Sequence, residues 1–147
     1  MKVLNEIKIT ADAKSVNESY LRVAVATFAS QLDPTVEELS DIKTAVSEAV
    51  TNCIVHAYKL KTGKIYITAR LCENQIITIK IRDTGIGIAD IKKAREPLFT
   101  TGGDDRSGLG FSVMECFSDK LKVSSKEGKG TTVIIYKRIC GKSANEP

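Results

Sequence analysis

Ser47-Glu48-Ala49-Val50-Thr51-Asn52-Cys53-Ile54-Val55-His56-Ala57-Tyr58 closes a long run of helical periodicity, yet it carries a polar stripe at Glu48, Asn52 and His56. At i, i+4, i+8 spacing these three share one helix face, with neighbours about 5–6 Å apart between Cβ atoms. The opposite face reads Val46, Ala49, Val50, Cys53, Ile54 and Ala57, the pattern of a buried face. A carboxylate, an amide and an imidazole in a row beside a core face need a chemical reason, and the flanking sequence bears on it.

Working back from this stretch, the helix is expected from about 34 to 58 through Val36, Leu39 and Ile42, opened by Asp33 as N-cap with Pro34 in the first turn. A preceding helix is expected from Ser15-Val16-Asn17-Glu18, which has the Ser-x-x-Glu spacing of a capping box. It continues through Val16, Tyr20, Val23, Ala24, Thr27, Phe28 and Leu32 at helical spacing. Residues 3–10 read as a strand, with Val3, Ile7 and Ile9 set among polar neighbours.

Working forward, the period switches from 3.6 to 2. Ile65, Ile67, Ala69 and Leu71 alternate, Glu73-Asn74 makes a tight turn, and Ile77, Ile79 and Ile81 alternate again, the pattern of an antiparallel hairpin. Residues 84–106 are rich in Gly, Thr and charge, with one helical turn expected around 90–95. A connection this long in a small domain is usually a lid or a binding loop. A helix is expected from Ser107 through Phe111, Met114 and Phe117, then strands over 119–125 and 131–138 joined by Gly128-Lys129-Gly130, and a frayed tail from Gly141. The expected architecture is α+β: a two-layer α/β sandwich, with a mixed, largely antiparallel sheet and helices on one face, in one domain over 1–147.

Composition narrows the functional classes. Apolar content of 42% and charged content of 27% are ordinary globular values. Lys and Arg number 22 against 18 Asp and Glu, with no dense basic block, and with no Trp a base-stacking platform is disfavoured; no direct nucleic-acid partner is expected. No signal core opens the chain and no apolar run reaches membrane-spanning length, so a cytoplasmic protein without a membrane partner is expected. The four cysteines (53, 72, 116 and 140) form no Cys-x-x-Cys pair, and their apolar or strand-like neighbours suggest buried free thiols rather than a disulfide frame or zinc site.

Several short stretches carry chemistry. Asp83-Thr84-Gly85-Ile86-Gly87 sits where a buried strand breaks into loop; Gly85 and Gly87 allow close backbone approach, and a rigidly held Asp83 is a good acceptor for a base amino group, although a plain glycine turn reads the same way. Ser107-Gly108-Leu109-Gly110-Phe111 is a glycine-rich helix opening, a natural phosphate site or simply a helix capped by Ser107. Thr100-Thr101-Gly102-Gly103-Asp104-Asp105, with hinge glycines and no apolar anchor, suits a lid over about 96–107. Gly130-Thr131-Thr132 opens the last strand, where a threonine hydroxyl could complete a base pocket. Gly141-Lys142-Ser143 is not a P-loop, because Tyr136 stands where its first glycine belongs. Gly85-x-Gly87 is not a dinucleotide fingerprint, because Asp90 replaces the third glycine.

The order of these stretches resembles the ATP-binding fold shared by gyrase, Hsp90, histidine kinases and MutL, the GHKL or Bergerat fold, over roughly residues 36–136. Arg22-Val23-Ala24-Val25-Ala26, Gln31-Leu32-Asp33-Pro34-Thr35, Ser47 to Asn52, Glu96-Pro97-Leu98-Phe99-Thr100-Thr101 and Arg106 to Phe111 further resemble the anti-sigma F factors of endospore-forming bacteria, over nearly the whole chain. That resemblance implies a dimeric, Mg²⁺- and ATP-dependent serine kinase. Such a protein binds the sporulation sigma factor F in the ATP- or ADP-bound state and phosphorylates its antagonist, the anti-anti-sigma factor.

By the same resemblance Glu48 is the catalytic base, Asn52 holds Mg²⁺, Asp83 takes the adenine amino group, and Gly108 and Gly110 wrap the phosphates. Arg106 neutralises charge on the transferring group, while Arg22 grips both protein partners. Gly85, Gly87, Thr100, Thr101, Ser107, Leu109 and Thr131 complete the expected nucleotide site. His56 either lines the phosphate pocket or is a structural histidine. The segment between Thr101 and Arg106 is one residue shorter than the family pattern, with Gly102-Gly103 in place of Lys-Pro, a departure that bears on lid closure more than on chemistry. The rival readings are a histidine-kinase catalytic domain, an anti-sigma kinase of a stress-response sigma factor, and a nucleotide-gated binding module without catalysis.

Overall fold

Alternating Ile, Val and Thr residues give the described part of the chain five strands that pleat into one sheet. In the computed structural model, which describes residues 1–96 and 110–141, these are β1 (Val3–Asp12), β2 (Lys64–Cys72), β3 (Ile76–Arg82), β4 (Lys120–Lys126) and β5 (Gly130–Arg138). Their order across the sheet is β1-β2-β3-β5-β4, and all four ladders are antiparallel. The largely antiparallel sheet of the sequence reading is therefore found, with no parallel pair among the described strands. Register fixes the faces. Ile67 stands opposite both Ile9 and Ile81, and Ile79 opposite Ile135, so Ile65, Ile67, Ile77, Ile79, Ile81 and Ile135 all point to the side that the helices cover. Each such side chain removed from water contributes about 1.5–3 kcal/mol. The other face is polar and cationic; there Arg82 lies over the Tyr66 ring at 4.2 Å.

The inner face is covered by α1 (Ser15–Ala29), α2 (Val36–Asn52) and α4 (Gly110–Cys116), which share one apolar core with it; a single turn, α3 (Ile91–Ala94), precedes α4. The expected buried face of the second helix is found: Val46, Ala49, Val50, Cys53, Ile54 and Ala57 are all buried.

Local boundaries differ from the sequence reading in four places. The capping box at Ser15 does not form; Lys14 is the N-cap of α1 without a side-chain bond, and Glu18 faces Arg22 instead, at 3.8 Å. The phase of α1 also differs. Val16, Tyr20 and Val23 are exposed, and the helix buries Leu21, Val25, Ala26, Phe28 and Ala29. Asp33 does not cap α2. It adopts a left-handed conformation at the end of the short 3-10 turn Ser30–Leu32, and Thr35 caps through a complete capping box with Glu38. Finally, the α-helix stops at Asn52 and continues as one π turn, Cys53–Ala57, with Tyr58 N–H donating to the Cys53 carbonyl at 3.0 Å. Of the cysteines, Cys53 and Cys72 are buried, but Cys116 and Cys140 are exposed, each lying just past or at the end of an element rather than within the core.

Candidate functional site

The end of β3 positions the first functional group. Inner-face alternation that buries Ile77, Ile79 and Ile81 also turns Asp83 inward, at 5% exposure, just where the strand stops. Its Oδ1 accepts the N–H of Gly85 at 2.9 Å and that of Thr131 at 3.2 Å, and the buried Cys53 thiol donates to the same carboxylate. Burial pushes the Asp83 carboxyl above its ordinary value, while those donors and Arg82 pull the other way. The Cys53 thiol is pushed well up by burial and then by the Asp83 charge, so it stays protonated and donating. An inward carboxylate held from three sides is a rigid acceptor.

The loop after Asp83 is fastened on two sides. Ile86 N–H donates to the Ala57 carbonyl at 3.0 Å, at the end of the π turn, and Gly128 N–H donates to the Ile86 carbonyl at 2.6 Å. Tyr58 bonds across the loop base, its hydroxyl accepting Thr84 N–H at 2.8 Å and donating to the Lys64 carbonyl at 2.6 Å. Two of the glycines here combine a left-handed backbone with no room for a side chain. Gly87 has φ +75°, and a Cβ on it would lie 2.2 Å from the Lys126 carbonyl oxygen. Gly130 has φ +109°, and its Cβ would meet the Asp83 carbonyl oxygen at 2.2 Å. Next to Gly130, Thr131 turns inward opposite Asp83, and Ser125 on β4 touches the Thr131 hydroxyl at 2.9 Å.

The second half of the site is the meeting of α2 with α4. A Cβ on Gly110 would lie 3.2 Å from Asn52 Oδ1 and 3.5 Å from Glu48 Oε2. The opening of α4 thus sits directly against the amide and carboxylate one helical turn apart on α2, and a side chain in place of Gly110 would press on the Asn52 amide. His56 is half-buried in the π turn, so the α-helical spacing that groups it with Glu48 and Asn52 does not extend to it. Arg22 lies on α1, half-exposed, beside Glu18. The expected lid, with Thr100, Thr101, Arg106, Ser107, Gly108 and Leu109, falls outside the described residues. So does the tail beyond Gly141.

The donor set bears on Mg²⁺. Among the described residues no three His, Cys, Asp or Glu side chains come together to cage an ion. One amide oxygen and one neighbouring carboxylate are hard oxygen donors, which fits an ion that arrives with phosphates and keeps most of its waters.

Sequence reasoning did not assign roles to Cys53, Tyr58 or Ser125. Ser125 was within reach of register arithmetic, since a Gly128-Lys129-Gly130 turn sets it opposite Thr131. The bonds of Cys53 and Tyr58 depend on the π turn, for which the sequence carries no simple pattern.

An open antiparallel sheet with helices on one face, an inward strand-end aspartate and a helix asparagine beside a glycine helix opening together define a histidine kinase-like ATPase domain, and the family model of that description matches residues 9–137. The crystal structure of the RsbU and RsbW domains of Rv1364c from Mycobacterium tuberculosis superposes with a TM-score of 0.66 at 18% identity, over 92% of this chain and 33% of that one. The mycobacterial sensor histidine kinase MprB gives a TM-score of 0.57 at 14% identity, over 90% of this chain and 99% of that one. At such identities the likeness is one of fold. Much nearer in sequence are two proteins named anti-sigma F factor. That of Clostridium acetobutylicum is 53% identical over 92% of this chain and 94% of its own, and that of Caldanaerobacter subterraneus subsp. tengcongensis 54% identical over 95% and 97%. The chain belongs to the anti-sigma F factor family of histidine kinase-like ATPases.

Proposed function

We propose that this chain is a single-domain, cytoplasmic anti-sigma factor and serine kinase: bound to ATP or ADP it inhibits the sporulation sigma factor F, and with ATP it phosphorylates and so inactivates the anti-anti-sigma factor. The observation that carries the reading is the closeness of Gly110 to Asn52 and Glu48, which supports a phosphate site where a helix opens on a glycine beside a carboxylate and an amide. The names of the relatives support the choice of partner. No helix among the described residues is long and apolar enough to cross a membrane, in keeping with a cytoplasmic role.

In this reading Asp83 and Thr131 take the adenine, Gly85 and Gly87 shape the loop beneath it, and Gly110 with Ser107, Gly108 and Leu109 wraps the phosphates. Thr100 and Thr101 close over them. Mg²⁺ held by Asn52 would neutralise phosphate charge. Glu48 accepts the proton of the incoming serine hydroxyl as its oxygen forms the new bond to the γ-phosphorus and the bond to the ADP oxygen breaks, with Arg106 balancing charge on the transferring group. His56 is a further candidate for the phosphate side. Arg22 is the proposed grip for both protein partners. Val16, Tyr20 and Val23, exposed on the same helix at 80%, 65% and 49%, support a protein contact there, and a homodimer is part of the proposal.

The test is incubation of the purified protein with Mg-ATP and the candidate anti-anti-sigma factor, followed by mass spectrometry, with Glu48→Ala alongside. Phosphate on a serine, absent with the variant although ATP still binds, supports the kinase and its base together. ATP binding with no transfer by the unaltered protein would replace the kinase with a nucleotide-gated sequestration module.

A further inference from the structure

Asp83, Thr131 and Ser125 form a row across β3, β5 and β4 on the helix-covered side. The Asp83 N–H donates to the Thr131 carbonyl at 2.9 Å, and Thr131 is the ladder partner of Ser125. The Ser125 hydroxyl has three neighbours: Ile88 N at 2.7 Å, the Gly130 carbonyl oxygen at 3.0 Å and Thr131 Oγ1 at 2.9 Å.

A hydroxyl has one proton and two lone pairs to distribute. The Ile88 N–H can only donate, so it takes one lone pair. The Gly130 carbonyl can only accept, so it takes the proton. What remains toward Thr131 is a lone pair, and Thr131 must be the donor in that contact. If the Ser125 proton turned to Thr131 instead, the Ser125 and Gly130 oxygens would face each other at 3.0 Å with no hydrogen between them. Thr131 has a single hydroxyl proton, so once it points to Ser125 its oxygen has only lone pairs left for a ligand. Asp83, when ionised, is likewise an acceptor only.

We infer that Ser125 is a positioning residue that fixes Thr131 as an acceptor, so that the 6-substituent of a base lying between Asp83 and Thr131 must itself bring donor hydrogens: the amino group of a 6-amino purine is taken, and the oxygen of a 6-oxo purine, whose one donor on that edge is the neighbouring N1–H, is refused. This rests on the nucleotide reading above and adds to it a second contribution to base selectivity, beside that of Asp83. Refusal follows because a 6-oxo group would set its own lone pairs against two buried acceptors, and unpaired buried polar groups discriminate strongly.

The test is the ratio of the dissociation constants of ITP and ATP, both with Mg²⁺, for the unaltered protein, Ser125→Ala, Ser125→Thr and Thr131→Val. Ser125→Ala frees the Thr131 proton to donate to a 6-oxo group, and the preference for ATP falls roughly five- to tenfold, the size of one neutral hydrogen bond. Ser125→Thr keeps the hydroxyl and the unaltered ratio. Thr131→Val removes the acceptor and lowers the preference as well; an unchanged ratio in that variant overturns the inference even if Ser125→Ala does not fold. A Ser125→Ala variant whose two affinities fall together, with the ratio unchanged, overturns the inference: Ser125 then only braces the Ile88 loop. An unaltered protein that binds neither nucleotide overturns the nucleotide reading itself.

Discussion

Replacing Asp83 by asparagine and by alanine separates two jobs of one carboxylate. Its Oδ1 accepts the N–H groups of Gly85 at 2.9 Å and Thr131 at 3.2 Å in a place where the residue is 5% exposed. An asparagine amide oxygen can accept both, so the strand end keeps its bonds and stability changes by about 1 kcal/mol or less. Alanine leaves both N–H groups without that acceptor. At about 1–3 kcal/mol for each buried unsatisfied donor, the loss is about 2–6 kcal/mol, a large part of the stability of an ordinary domain. Nucleotide affinity divides differently. Both variants lose an ionised acceptor for the base amino group, about 1.5–3 kcal/mol, or roughly ten- to hundredfold in Kd. Urea unfolding followed by circular dichroism and ATP titration by calorimetry read the two quantities separately. An Asn variant that binds ATP as tightly as the unaltered protein would show that the Asp83 charge does not hold the base, and an Ala variant as stable as the Asn variant would show that the two N–H bonds do not hold the strand end.

Gly130→Ala meets both a left-handed backbone and the Asp83 carbonyl oxygen at 2.2 Å, so urea unfolding should show a loss of at least about 2 kcal/mol, whereas Gly128→Ala, with φ +78° but open space around it, should lose less. Thr35→Ala removes the N-cap of α2 and should lower stability by about 0.5–2 kcal/mol in the same assay. Burial alone would raise the Glu38 carboxyl, but the N–H groups of Thr35, Cys140 and Gly141, helped by the Thr35 hydroxyl, outweigh it and bring the group below its ordinary value of 4.5. Its contribution to stability is therefore complete above that value and fades as the pH falls through the folded-state value, so the deficit of Glu38→Gln relative to the unaltered protein should shrink on acidification. Tyr58→Phe removes bonds to Thr84 N–H and the Lys64 carbonyl; amide hydrogen exchange should quicken at Thr84, and no change there would mean that the bonds at Gly85, Ile86 and Ile88 hold the loop without it.

The sheet was legible because its signal is redundant. Alternation in Ile65 to Leu71 and Ile77 to Ile81 fixes both the strand and the face, and a one-residue slip would expose the whole set. Helix ends were less legible, because Ser15-x-x-Glu18 and Thr35-x-x-Glu38 carry equivalent local signals and only the second is used. Glu38 is needed elsewhere, since it also accepts the N–H groups of Cys140 and Gly141 more than a hundred positions along the chain, which no local pattern contains. The phase of α1 was misread because Val16, Tyr20 and Val23 are apolar without being core. In the site, Asp83, Asn52 and Glu48 stood out as polar groups breaking apolar patterns. Cys53 and Tyr58 did not, because a π turn shifts the helix phase after Asn52 and sets where they point.

In the proposed function the end of β3 and the opening of α4 form one nucleotide site. Its most direct measurement is the amide spectrum of the ¹⁵N-labelled protein titrated with Mg-ADP. The largest shifts are expected at Gly85, Thr131, Asn52 and Gly110 together, saturating at one nucleotide per chain. Shifts confined to the cationic outer face around Lys80 and Lys122, with Gly85 and Gly110 unmoved, would contradict it.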